Sequence, residues 1–246
     1  PCLKTLMIKL KILKLVFTIF IYFSMVNMTA QFHEIGAFVG FSNYVGDVGT
    51  DRYVNPNSPA FGLVYKWNAT DRYSLRAGFS FTNLVENEFQ NSDINRFSRS
   101  YKMHNSIQEA MMGIEINFFE FNLHDETLNF TPYIFYGISY FRYNQFYLTP
   151  NGPYDPPTYN NYGTDEKIAF PLLLGFKINP NPLFVIGFEM GARYTLTDNL
   201  DGSNPENEFA DVEEYKFGNI MNNDWYIFTG LTISFTFGDL PCYCKE

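Results

Sequence analysis

Through residues 73–82 the chain alternates strictly. Tyr73, Leu75, Ala77, Phe79 and Phe81 are bulky or apolar, and Ser74, Arg76, Gly78, Ser80 and Thr82 are small or polar. Successive side chains of a strand point to opposite faces, so this stretch predicts a ribbon that is greasy on one side and polar on the other. Eight segments share the rhythm, at about 33–45, 60–67, 72–83, 106–119, 131–147, 167–178, 183–197 and 224–237. The connections between them alternate, long after odd strands and shorter after even ones, with a short turn predicted at 68–71, a modest one at 122–129 and a tight one at 179–182.

Short turns on one side, long loops on the other and an even strand number predict an all-β fold: a closed antiparallel transmembrane β-barrel of about eight strands. Closure follows from chemistry, because an open sheet edge in hydrocarbon leaves backbone donors and acceptors unpaired. The glycines at 36, 40, 62, 78, 113, 137, 175, 187, 191 and 230 all fall on the polar parity. That parity also carries Lys66, Arg72, Arg76, Lys177 and Arg193 against Glu34, Glu109, Glu115 and Glu189. An eight-stranded barrel has room inside only for side chains, and buried charges persist only when paired. The expected lumen is therefore a plug of ion pairs rather than a pore. A soluble barrel shows the same alternation with its faces exchanged; glycine on the polar parity, aromatics at strand ends (Trp67, Phe118, Tyr194, Trp225) and the loop asymmetry favour the membrane version. Arg142 breaks the pattern by falling on the apolar parity, which predicts a bulge or a position beyond the bilayer.

Composition narrows the functional classes. Among 246 residues aromatics make up 19% and charged residues 17%, with a net charge of −9. No basic face is available to neutralise nucleic-acid phosphates. Near the start, Lys9, Lys11 and Lys14 precede an apolar run over 15–26 and a small residue at Ala30. That order predicts a cleaved signal peptide within 1–30, with residues ahead of Met7 lying upstream of the initiator, a barrel over 31–237 and a periplasmic tail over 238–246. The apolar run is too short for a transmembrane helix.

Catalytic chemistry is scarce. His33, His104 and His124 are the histidines, and only His104 with Ser106 imitates a nucleophile–base pair. A solvated rim histidine is the expected reading, so no catalytic residue is assigned. Residues 197–208 faintly match a calcium-loop template through Asn199, Asp201, Gly202 and Glu208. Thr197 lacks the first carboxylate and Pro205 interrupts the loop, so an acidic, solvated loop is expected and no metal or cofactor is assigned. Cys242 and Cys244 sit in the tail. A bond between residues two apart closes a strained ring, and the periplasm is oxidising, so one or both thiols are expected to pair with a partner protein, with a vicinal-type redox pair or a free thiol near lipid as the alternatives. The short turns supply further candidate partner contacts: Asn122, His124, Asp125, Asn179 and Asn181.

The order GAFVGFSNYVGDVG, PAFGLVYKW, GIEINFFEFNLH, TPYIFYGISYFRY, FPLLLGFKI and a closing DLPCYC resembles the PorG family of Bacteroidota over essentially all of 31–246. The resemblance implies an outer-membrane component of the type 9 secretion system, which exports adhesins, hydrolases and gliding proteins. It implies partners as well: a ring formed by a PorK-like lipoprotein and a PorN-like periplasmic protein, with other translocon subunits nearby. It brings no catalytic residue.

Overall fold

The computed structural model describes residues 32–49, 52–88, 97, 101–123, 128–149, 151–152, 155, 157–219 and 222–238. Eight strands follow one another: β1 (Phe32–Val45), β2 (Ser58–Asn68), β3 (Tyr73–Asn87), β4 (Lys102–Asn117), β5 (Asn129–Thr149), β6 (Thr158–Asn181), β7 (Phe184–Thr195) and β8 (Trp225–Phe237). Each pairs antiparallel with its sequence neighbours, and β1 closes on β8 through the register His33↔Phe237 to Val45↔Trp225. No backbone edge is left open along the wall.

The parities sort as alternation predicts. Outward side chains are exposed and apolar, with Leu63 and Met112 each 65% exposed and Ile35, Phe79, Ile138, Leu174 and Leu231 around the same wall. Inward ones are buried and mostly polar, such as Ser74, Arg76, Glu115, Lys177 and Thr232. A closed barrel with greasy exterior and polar interior is a transmembrane barrel, since only hydrocarbon makes such a wall favourable. Two facing glycine pairs let the strands close tightly. A Cβ on Gly113 would lie 2.3 Å from the Tyr136 carbonyl oxygen and 2.6 Å from the Cα of Gly137, its register partner. The Gly40–Gly230 pair is equally tight.

Four strands depart from expectation, among them β3, which runs on to Asn87 rather than ending near 83. β6 begins at Thr158, well before residue 167, and β5 runs on to Thr149. Residues 158–166, read from sequence as loop, pair with 142–149 as the upper part of a tall hairpin. They stand beyond the ~9–11 residues a strand needs to cross a bilayer, and residues 158–166 are mostly polar on both parities, so alternation carries no signal in them. The loop-length alternation weakens accordingly: the 150–157 connection is shorter than the 118–128 turn. β4 likewise starts at Lys102 rather than near 106.

Arg142 lies in this upper tier. It pairs in register with Gln108 and Glu166, while the β5–β6 register shift falls at Gln145/Phe146. The rung beneath holds the exposed Tyr140, whose hydroxyl donates to Glu166 at 2.5 Å. Of the two expectations for Arg142, a position above the apolar belt is the one realised.

Candidate functional site: the filled lumen and its two ends

Three layers fill the barrel from the short-turn end to the long-loop end. The lowest is apolar. The β4–β5 turn folds inward, burying Phe121 and Leu123 against Val185. Lys177 Nζ sits 4.8 Å from the centre of the Phe121 ring, a cation–π contact that joins this layer to the next. The Phe121 N–H donates to the Asp71 carbonyl at 3.1 Å, fastening the turn to its neighbour.

The middle layer is ionic. Glu115 accepts from Lys177 at 2.7 Å and Lys66 at 2.9 Å, with Arg76 at 3.4 Å. Arg76 also clamps Glu189 through both terminal nitrogens at 2.8 Å, and the Tyr133 hydroxyl donates to Glu189 at 2.7 Å. Bidentate guanidinium–carboxylate geometry is among the stronger forms of charge-assisted bonding. Higher up, Arg193 Nε reaches Glu109 at 3.3 Å, Tyr226 donates to Glu109 at 2.6 Å, and the guanidinium lies 4.3 Å from the Phe228 ring centre. Four buried cations, Lys66, Arg76, Lys177 and Arg193, match four buried carboxylates in number, but unevenly: Glu115 takes three of them, whereas Glu34 accepts only from the Asn68 amide at 2.9 Å. A void between Arg76, Glu189 and Arg193 has a volume of about 10 Å³, close to one water probe.

Arg72 is absent from this network. It precedes β3, is half exposed, and bonds Glu120 at 3.2 Å on the short-turn rim. Parity was the wrong guide there because Arg72 lies outside the strand, where alternation no longer fixes the face.

The upper layer is an apolar core that parity alone did not predict. Leu84, Met103, Ile107, Phe141, Tyr143 and Phe228 point inward and pack beneath Val48 and Leu200 of the long loops. The interior is therefore an ion-pair plug through its middle only. The loop over 196–224 is not the solvated acidic loop expected from sequence. Asp201 is fully buried, accepting from the Ser203 N–H at 2.9 Å and the Val48 N–H at 3.1 Å. Asp224 accepts from the Leu200 N–H at 2.9 Å and from the Tyr44 hydroxyl. Burial raises both carboxyls above the ordinary carboxylate range, with neighbouring acids adding to the effect. Asn199 is also fully buried, its amide donating to Tyr162 at 3.1 Å. Among the described residues no group of three acids, histidines or cysteines could hold a metal ion. The acids fasten loops instead.

At the short-turn rim the predicted contacts separate. Asn179 is fully buried within β6, accepting from the Asn129 N–H at 2.8 Å, so it is closed to a partner. The turn falls at 182–183, and Asn181 caps it by accepting from the Leu183 and Phe184 N–H groups at 2.9 and 3.0 Å. Asn122 stays partly exposed, its carbonyl accepting from Asn129 Nδ2 at 3.0 Å. His124, Asp125, Cys242 and Cys244 lie outside the described residues. His33 stacks between Tyr65 and Phe237 on the same rim. His104 and Ser106 both face outward from β4.

The sequence family described as a domain of unknown function, DUF6089, matches residues 13–246. The chain belongs to the DUF6089 family. Among curated proteins none matches it. Several solved structures resemble this DUF6089 barrel at low identity. Ail of Yersinia pestis, solved with the heparin analogue sucrose octasulfate, has a TM-score of 0.43 and 13% identity, over 85% of this chain and 100% of that one. The N-terminal β-barrel domain of Pseudomonas aeruginosa OprF has a TM-score of 0.43 and 14% identity, over 85% and 100%. The outer membrane protein OprG of Pseudomonas aeruginosa has a TM-score of 0.42 and 12% identity, over 86% and 97%.

Proposed function

We propose that this barrel is a non-conducting, non-enzymatic outer-membrane anchor of the type 9 secretion system that holds a periplasmic ring of PorK-like and PorN-like proteins. The observation that carries the non-conducting part is the packed lumen: paired ions in the middle, Phe121 and Leu123 at the short-turn end, and an apolar core under the loops at the other. An exported protein has no way through such an interior, so the role left to the barrel is positional. The secretion assignment and its partners are supported by the PorG-like order of motifs along the strands. On this reading residues 1–30 carry the signal peptide, both mature termini lie in the periplasm, and Cys242 or Cys244 bonds to a ring protein.

The test is isolation of the full chain from solubilised outer membranes without reductant. Ring proteins should co-purify, and a heavier species sensitive to reductant should vanish in C242S/C244S. Recovery of the barrel without ring proteins removes the anchor role, and steady conductance in planar bilayers removes the sealed lumen.

A further inference from the structure

On the outer wall, at the long-loop end, lies a cavity of about 770 Å³ that the lumen plug does not involve. Its floor is the outward face of β7 and β8: Ala192 beside Ile227, and one rung higher Tyr194 beside Trp225. Those two rings lie 4.9 Å apart, and Asn223 Nδ2 donates to the Tyr194 hydroxyl at 2.8 Å, which holds the upper floor in place. The β1–β2 connection forms the opposite bank. Asn43, at an outward position of β1, donates to the Tyr53 carbonyl at 2.9 Å and holds that connection against the wall, with Tyr53 itself 75% exposed.

The polar groups of the mouth divide into committed and uncommitted ones. Asp47 is committed: its Oδ2 accepts from the Asn219 N–H at 2.8 Å, tying the β1–β2 connection to the β7–β8 loop. Asp224 is buried and holds the Leu200 N–H and the Tyr44 hydroxyl. Three other side chains of the lining keep bonding capacity. Arg52 and Asn222 are exposed, and neither side chain bonds to another described residue. The Asp198 carboxyl is half-buried and takes only the Asn204 amide, at 3.3 Å. Burial, and then the Asp201 charge, push that carboxyl up to about 7, so near neutrality it can both donate and accept.

This set is mixed: a guanidinium that donates, an amide and a carboxyl that do both, and three aromatic rings beside them. No simple ion suits it, because an anion would face the Asp198 carboxyl and a cation would face Arg52. A sugar is neutral, each of its hydroxyls donates and accepts, and the apolar C–H face of its ring lies flat on an aromatic side chain. The volume falls in the range of small-ligand pockets, whose lining is aromatic with a few polar groups. The floor sets what the sugar is attached to. Ala192 and Ile227 belong to the membrane wall, and Tyr194 and Trp225 stand at the girdle where hydrocarbon gives way to headgroups. A strand rises ~3.4 Å per residue, so the groove climbs ~7 Å from the acyl level to that girdle.

We propose that this groove binds the sugar headgroup of an outer-leaflet glycolipid, with a sugar ring against Trp225 and Tyr53, its hydroxyls on Arg52, Asn222 and Asp198, and the first acyl carbons on Ala192 and Ile227. The inference requires the wall to lie in a membrane and is independent of any secretion partner.

Trp67 and Trp225 are the two tryptophans, so a Trp67→Phe chain reports from the groove floor alone. That protein is placed in phosphatidylcholine vesicles containing a fixed fraction of one acyl-brominated lipid: diglucosyl-diacylglycerol, phosphatidylglycerol or phosphatidylcholine. Diglucosyl-diacylglycerol should quench Trp225 with an apparent affinity about tenfold above both others, close to the worth of one hydrogen bond to a charged group. R52A/N222A changes two exposed side chains that bond to no other described residue, and should bring the glycolipid down to parity with phosphatidylcholine. Equal quenching by the glycolipid and phosphatidylcholine overturns the proposal, as does a preference that survives R52A/N222A. A preference shared with phosphatidylglycerol overturns it too, since charge rather than sugar would then be recognised. Maltose free in solution at millimolar concentration should leave Trp225 emission unchanged; a saturable shift in that range would overturn a lipid as the source of the sugar. Failure of the chain to enter vesicles would refute the membrane wall, and this inference with it.

Discussion

Replacing Glu115 with Gln tests the ionic layer at its hub. The carboxylate is fully buried and in contact with Lys66, Lys177 and Arg76 at 2.9, 2.7 and 3.4 Å. Arg76 keeps its clamp on Glu189 after the change, so the damage falls on the two lysines. Both are buried, and Glu34 is the next carboxylate in that layer, in register with Lys66. Breaking a buried pair leaves an uncompensated charge and costs about 3–5 kcal/mol. With two lysines affected, E115Q should sit toward the upper end of that range. Adding Lys177→Met removes one stranded cation while keeping an apolar side chain over Phe121, and the double variant should recover about half of the loss or more. The assay is urea unfolding of the refolded barrel in phospholipid vesicles, followed by tryptophan emission, with the heat-dependent gel mobility of closed barrels as a check on folding. A loss below about 0.5 kcal/mol, the level of an ordinary surface change, would refute the reasoning. A double variant no more stable than E115Q would do the same for the role of Lys177.

Other expectations follow from single residues. Leu63 lies midway along β2 and points to lipid, so Leu63→Arg should cost about 2–4 kcal/mol in the same unfolding assay, whereas a wall in water would be indifferent or improved. Gly113→Val would force a side chain against the Tyr136 carbonyl and Gly137; it should cost about 1–3 kcal/mol or widen the β4–β5 seam, read as faster hydrogen exchange there. The loop cap should weaken with rising pH. The Asp198 carboxyl keeps its proton in the folded cap up to about 7 but loses it near 3.8 when unfolded, so stability is full below that lower value and falls as pH climbs through the window. Hydrogen exchange at the Leu200 and Asp224 amides, corrected for intrinsic rates, should show the loosening, and Asp198→Asn should flatten its upper part.

The wall was legible in the sequence because burial there has period two and a bilayer demands it strictly. Tyr73 to Phe81 and Ser74 to Thr82 land on opposite faces as their parity requires. The charged partners were legible for a related reason: Lys66, Arg76, Glu115, Lys177 and Glu189 are expensive inside a barrel unless they meet. Which would meet was not readable, since Arg76 and Glu189 are brought together by closure across distant strands. Three features escaped. Strand β5 is aromatic on both parities, so Phe141 and Tyr143 gave no sign that the upper lumen is apolar. Beyond the bilayer, Asn160, Asn161 and Thr164 pair as strand with no hydrophobic face to betray them. The acid cap was hidden too, because Asp201 and Asp224 look solvated in sequence and are buried by backbone donors brought from other loops.

The account rests most directly on which way β3 faces. Nitroxide labels placed singly at Ser74, Leu75, Ala77, Gly78, Phe79 and Ser80, in a C2S/C242S/C244S chain reconstituted in bilayers, report their surroundings through relaxation by oxygen and by a nickel chelate. Labels at Leu75, Ala77 and Phe79 should be open to oxygen and closed to nickel, with those at Ser74, Gly78 and Ser80 shielded from both. The opposite phase, or no two-residue period, would contradict a lipid-facing wall around a filled interior.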